Sequence, residues 1–129
     1  MVSLLVDTSV IIEKIRTRKG IYDQIVLESK AKKYQLFTSS IVISELWKGS
    51  KMDNKSVEKD VEFVIRPMMI MTVDREIGKV AGTLVRKGLI DGLDAFIAAT
   101  AIVHGATLAT LNTKHFVGIK GLKLYNTDK

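Results

Sequence analysis

The sequence predicts an α/β fold, with a central parallel sheet covered by helices on both faces. Short apolar runs rich in β-formers alternate along the chain with segments of helical periodicity, the pattern of parallel strands joined by helical crossovers. At 129 residues the chain is the size of one domain, and such a chain buries roughly two-thirds of its unfolded surface, enough for a core without staples. No repeat, low-complexity tract or Pro/Gly/Ser-rich linker interrupts it, and its only proline is Pro67, so residues 1–129 are expected to form a single domain.

The elements follow in order. Residues 2–6 read as a buried strand running into a helix at the polar cluster Asp7-Thr8-Ser9, where a helix can start. Ile11, Ile12 and Ile15 keep helical spacing until Gly20, and a second helix places Ile21, Tyr22, Ile25 and Val26 on one face. Residues 36–38 form a short strand, and Ser39 and Ser40 offer N-caps for a helix over 41–48 that stops at Gly49. A helix over 56–65 carries Val57, Val61, Val64 and Ile65, and Pro67 is expected to push Arg66 out of helical geometry. Residues 68–73 read as a continuous apolar core strand. Asp74 caps a helix with Ile77, Val80, Ala81, Leu84 and Val85 on one face and Gly88 beyond its end, and its internal Gly78 and Gly82 predict close packing. Asp91 opens a nearly all-apolar helix ending at His104-Gly105, followed by a strand over 107–111 and a last strand near 122–125.

Composition narrows the chemistry. Apolar residues at 47% and charged residues at 26% exclude a disordered chain. Cysteine is absent, which removes disulfide scaffolds, thiol nucleophiles and Cys-type zinc sites, so catalysis would run on oxygen groups. Twenty Lys plus Arg against fourteen Asp plus Glu leave a net charge of +6, which favours polyanionic partners through counterion release and equally serves solubility. The longest near-apolar stretch, residues 95–103, falls well short of the roughly 20 residues that cross a bilayer. The first residues lack a basic region and meet an acid at Asp7, unlike a secretory signal, so no membrane association and a cytoplasmic location are expected.

In open parallel sheets ligands bind beyond the carboxyl ends of the strands, where the winding direction reverses. Asp7 ends the first strand there, as a ligand or as an N-cap for the next helix. Glu45 stands at the border of its helix's apolar arc, between Ile41 and Val42. It is either a snorkelling surface acid or a carboxylate in need of a proton, a basic partner or a cation. Asp91 and Asp94 share one face at a helix start, where the dipole favours acids. Asp91 reads most simply as the N-cap, whereas Asp94, set among Leu93, Ala95, Phe96 and Ile97, is expected to point into a pocket. Asn112 supplies a neutral oxygen or amide after a strand, within an ordinary turn sequence. If Asp7, Glu45 and Asp94 converge, their repulsion calls for a hard cation, and Mg²⁺ or Mn²⁺ suits oxygen ligands and a phosphodiester substrate.

Four segments in order, LLVDTSVII at 4–12, SEL at 44–46, DGLDAFIAATA at 91–101 and LATLNTKHF at 108–116, resemble the successive motifs of PIN domains. The resemblance implies a three-layer sandwich with a central parallel sheet, an acidic pocket for Mg²⁺ or Mn²⁺, and metal-dependent RNA cleavage. The small size resembles VapC-type toxins of toxin–antitoxin pairs, which implies a homodimer and an antitoxin protein that covers the site. By position the family's acids fall on Asp7, Glu45 and Asp94, with Asp91 as a frequent extra acid, and the resemblance implies catalytic roles for Asp7, Glu45, Asp94 and Asn112 and metal contacts for Asp7, Glu45, Asp94 and Asp91. Where family members often carry a further aspartate this chain has His115, either a contact to metal or phosphate or a loop residue packing beside Phe116. That departure motivates the alternative of a catalytically weak RNA-binding or regulatory module. Arg16, Arg18 and Lys19 form a basic cluster that reads as a contact to RNA phosphates or as a solvated face.

Overall fold

The computed structural model describes residues 1–126, so residues 127–129 of the expected domain lie outside the described residues. Among the described residues, five strands form one parallel sheet flanked by seven helices. They follow as β1 (Val2–Val6), α1 (Thr8–Thr17), α2 (Ile21–Lys30), β2 (Tyr34–Ser39) and α3 (Ser40–Trp47). After a 3₁₀ turn at Ser50–Asp53 come α4 (Lys55–Ile65), β3 (Met69–Met71), α5 (Arg75–Arg86), α6 (Gly92–His104), β4 (Thr107–Ala109), α7 (Thr113–Phe116) and β5 (Lys123–Leu124).

The sheet order is β3-β2-β1-β4-β5, with every pairing parallel. β1 is therefore central, which explains why Leu4, Leu5 and Val6 are all fully buried: a strand covered on both faces needs a continuous apolar run. Thr38, also fully buried, donates its hydroxyl to the Val6 carbonyl at 2.9 Å and ties β2 to the end of β1. A second apolar cluster joins α5 to α6 through Ile77, Ala81, Ala95 and Ala99. The caps work where polar residues precede helices: Ser39 accepts from the Ile41 N–H, and Asp74 from the Ile77 N–H. Gly105 ends α6 in the left-handed region at φ 63°.

Several expectations need correction. Arg66 stays helical, at φ −52° and ψ −42°, and its N–H reaches the Glu62 carbonyl. The turn is closed by the Met68 N–H on the Ile65 carbonyl at 2.9 Å, and this hydrogen bonding outweighs the steric bias imposed by Pro67. The expected strand over 68–73 shrinks to Met69–Met71. It lies at the sheet edge and pairs only with β2, so Met68 and Met71 are buried while Met69 and Ile70 are 55% and 46% exposed. The glycines of α5 do not mark close packing, because a Cβ at Gly78 or Gly82 would meet nothing within 4 Å. The contact with α6 is carried instead by Ile77 and Ala81, and Val85, placed on the same face by periodicity, is exposed. β4 stops at Ala109, because Thr110 turns to a different partner.

Candidate functional site

Between β1 and β4 the winding direction reverses, because β2 and β3 lie on one side of β1 and β4 and β5 on the other. Strand ends that part in opposite directions leave a crevice at that point. The Asp7 N–H donates to the Ala109 carbonyl at 2.9 Å, so Asp7 sits at the crevice, one residue past β1. It occupies the N-cap position of α1 without making a side-chain cap hydrogen bond. Its carboxylate is occupied elsewhere.

Thr110 donates its hydroxyl to Asp7 Oδ2 at 2.7 Å, and Ser9 donates to the same oxygen at 3.2 Å. Each hydroxyl in turn accepts a loop N–H at 3.0 Å, Ser9 from Leu111 and Thr110 from Asn112. The network spans the first and last thirds of the chain and leaves Asp7 only 4% exposed. Burial, the dominant effect, pushes the Asp7 carboxyl above its usual range. Hydrogen bonds from Thr110, the Thr8 N–H and Ser9 oppose the rise, and the charge of Asp94 adds to it.

α3 brings up the second acid. Glu45 is half-buried and accepts the Thr8 hydroxyl on Oε1 at 3.1 Å. Burial also pushes its carboxyl upward; the Thr8 hydrogen bond and Lys48 counter this, and the charges of Asp7 and Asp94 reinforce it. The third acid, Asp94, stands in the first turn of α6, with Oδ2 at 3.0 Å from His115 Nδ1 on α7. Asp7, Glu45, Asp94 and Asn112 line one cavity of about 550 Å³, together with Thr8, Ser9, Glu13 and Arg16. Asp91 is not brought into it. It takes the N-cap position of α6 without a side-chain cap hydrogen bond and lines a neighbouring cavity of about 600 Å³ with Asp94 and His115.

The donor set fits a hard divalent cation. Three carboxylates share one cavity, two of them are pushed upward by burial and mutual charge, and among the described residues no Lys or Arg forms an ion pair with any of the three. Such a set gains most from an oxygen-seeking ion that restores the charged forms. Among the described residues no group of three or more His, Asp or Glu side chains stands close enough together to hold a metal ion by itself, so an ion in this cavity would have fewer direct protein contacts and would rely on water for the rest.

Sequence reasoning missed two features of this site. Thr110 looks like any β-branched residue at a strand end, and its only signal is the proximity of Asn112 in a loop leaving a central strand. The His115 contact to Asp94 depends on how α7 is set against α6, which spacing does not reveal. Trp47 packs as a helix-facing residue and donates its indole N–H to Glu58 at 3.3 Å.

The family model described as PIN domain matches residues 4–121. Ribonuclease VapC2 of Rickettsia felis is 33% identical over 132 residues, covering 97% of this chain and 98% of that protein. Ribonuclease VapC1 of Methanocaldococcus jannaschii is 30% identical, covering 95% and 87%. Among solved structures, a chain in the crystal structure of VapBC2 from Rickettsia felis bound to a promoter DNA fragment superposes with a TM-score of 0.80 at 29% identity, covering 98% of this chain and 99% of that one. With the match extending from β1 to the residues just before β5, and the acids of three separate segments lining one crevice, the chain belongs to the PIN domain family.

Proposed function

We propose that this protein, as a single PIN domain over residues 1–129, is an Mg²⁺- or Mn²⁺-dependent endoribonuclease and the toxin of a VapBC-type toxin–antitoxin pair. The observation that carries the reading is the convergence of Asp7, Glu45 and Asp94 on one cavity at the reversal of the sheet, where among the described residues no Lys or Arg forms an ion pair with any of them and His115 engages Asp94. Relatives named as VapC ribonucleases and a neighbour solved as a VapBC complex support the same assignment.

Asp7, Glu45 and Asp94 would hold the cation, partly through water. Bound there, it supplies Lewis-acid chemistry, stabilising charge on the phosphoryl oxygens and acidifying a water nucleophile. The chain's own residues set the geometry. Thr110 and Ser9 fix the Asp7 carboxylate, Thr8 fixes Glu45, and His115 restrains Asp94. Asn112, exposed at the rim, orients the substrate or a water with its amide. Asp91, outside the cavity, is assigned no cation contact.

Asp7→Asn and Asp94→Asn should each abolish divalent-dependent cleavage of single-stranded RNA while circular dichroism and thermal unfolding report a folded chain; undiminished cleavage by either variant overturns the assignment. The partners follow from the same reading: a homodimer, seen as twice the chain mass by light scattering, and an antitoxin protein that suppresses cleavage. No helix among the described residues is long and apolar enough to cross a membrane, in keeping with a cytoplasmic RNA target.

One observation favours a second reading, a catalytically weak RNA-binding or regulatory module. The place of a further acid is taken by His115, which engages Asp94. RNA binding that persists without cleavage across a full Mg²⁺ and Mn²⁺ titration would select it.

A further inference from the structure

The acidic cavity has one basic side chain among its described lining residues, Arg16, two turns along α1 from Thr8. Two nearby basic residues are engaged: Lys14 pairs with Asp23 at 2.8 Å and Arg18 with Asp60 at 3.1 Å. The nearest acid on the same helix is also engaged, since Glu13 accepts the Ile21 N–H at the start of α2. The Arg16 side chain forms no ion pair or hydrogen bond among the described residues, although acids line the same cavity, and it is exposed. A guanidinium with five donors in a fixed fork, set at a cavity mouth without a partner, is suited to a bidentate oxyanion such as a phosphodiester.

Arg16 also belongs to a second cavity of about 580 Å³, between α1, α3 and α4, and shares that position with Ile12 and Glu45. Ile15, Leu46, Met52 and Val61 give this groove an apolar floor, and Lys51 stands at its rim. An apolar floor beside a cationic edge matches a nucleotide laid with its base inward and its phosphate outward, as single-stranded RNA is commonly held. Resting on the ribonuclease reading, we infer that Arg16 is a positioning residue: it grips the phosphate next to the cleaved bond and turns the RNA strand from the acidic cavity into the groove between α1 and α4.

The test uses the full chain, with Asp7→Asn as a background that binds without cutting, and a fluorescent single-stranded RNA oligonucleotide read by anisotropy in Mg²⁺ buffer. Adding Arg16→Gln should weaken binding about tenfold and lower the slope of log affinity against log salt by about 0.7, the signature of one lost phosphate contact on a single strand. Lys79→Gln, which removes the same charge from the exposed face of α5, should change neither quantity. Arg16→Lys should restore the salt slope while recovering only part of the affinity, because the point charge returns without the fork. In the cleaving chain, Arg16→Gln should raise KM and leave kcat nearly unchanged.

Equal RNA affinity and KM for Arg16→Gln and the unmodified chain would overturn the inference and leave the groove to a protein segment. Equal losses from Arg16→Gln and Lys79→Gln would also overturn it, since only diffuse charge would then be at work. If RNA binding depends on Arg16 but the unmodified chain does not cleave, the ribonuclease reading fails, and with it the positioning role, leaving Arg16 as an RNA-phosphate contact. If the chain cleaves and Arg16→Gln is indifferent, the ribonuclease reading stands and the role of Arg16 fails.

Discussion

Thr110 carries more of the site than its chemistry suggests. It is 1% exposed, donates to Asp7 and accepts from the Asn112 N–H, so Thr110→Val leaves both a carboxylate and a backbone donor short of a partner. The expected cost is about 1–3 kcal/mol in urea unfolding at pH 7, and it should shrink at pH 3, where a protonated Asp7 no longer needs the donor as an anion. Asp7 itself opposes folding at neutral pH. Its folded pKa lies above the ordinary 3.8, so the native state holds the proton more tightly than the unfolded chain does. Stability is then greatest below 3.8 and falls as pH rises through the raised value. In chelator at pH 7, Asp7→Asn should therefore melt at a higher temperature than the unmodified chain, and the advantage should vanish below pH 3.8. Equal melting curves at pH 7 would show that burying this carboxylate is not costly. Glu45 and Asp94 are legible in the sequence because carboxylates set among apolar residues demand an explanation, whereas Asp7, an ordinary N-cap by itself, is singled out by the resemblance to PIN domains. Thr110 and the His115 contact are not, because a threonine at a strand end and a histidine in a turn have ordinary uses.

At the scale of elements, α5 carries two interior glycines that serve no packing role. With open space at both Cβ positions, Gly78→Ala and Gly82→Ala should each stabilise the chain by about 0.5–1 kcal/mol, the helix propensity gained, read as a shift of the urea midpoint at unchanged m-value. A loss of stability would mean that α5 moves closer to a neighbour than its backbone shows. Six helices and five strands are expected in their correct order, since 3.6-residue periodicity and continuous apolar runs are local properties, whereas the one-turn α7 at Thr113–Phe116 reads in the sequence as a turn. What failed were features decided by tertiary position. An apolar run cannot show that Met69–Met71 will be an edge, and a proline cannot show that its predecessor's turn will be closed by another hydrogen bond.

For the whole molecule the sheet order is the controlling feature, and local pattern leaves it open, since periodicity ranks no strand against another. The order exposes β3 at one edge, where Met69 and Ile70 face outward on a short strand that pairs on one side only. Such edges promote association between chains. Ile70→Lys should reduce light scattering on heating while shifting the unfolding free energy by no more than about 0.5 kcal/mol, as expected for an exposed site; unchanged scattering would place the aggregating surface elsewhere. The same order also governs when the crevice can form. The hydroxyl that seats Asp7 is 103 positions downstream, and β1 lacks one of its two flanking strands until β4 has been synthesised. Because the N-terminal part leaves the ribosome first and must wait for its distant partner, a half-translated polypeptide has the leading acid but no pocket around it. The crevice is therefore complete only when synthesis is nearly finished, and the leading strand spends most of its life on the ribosome without it.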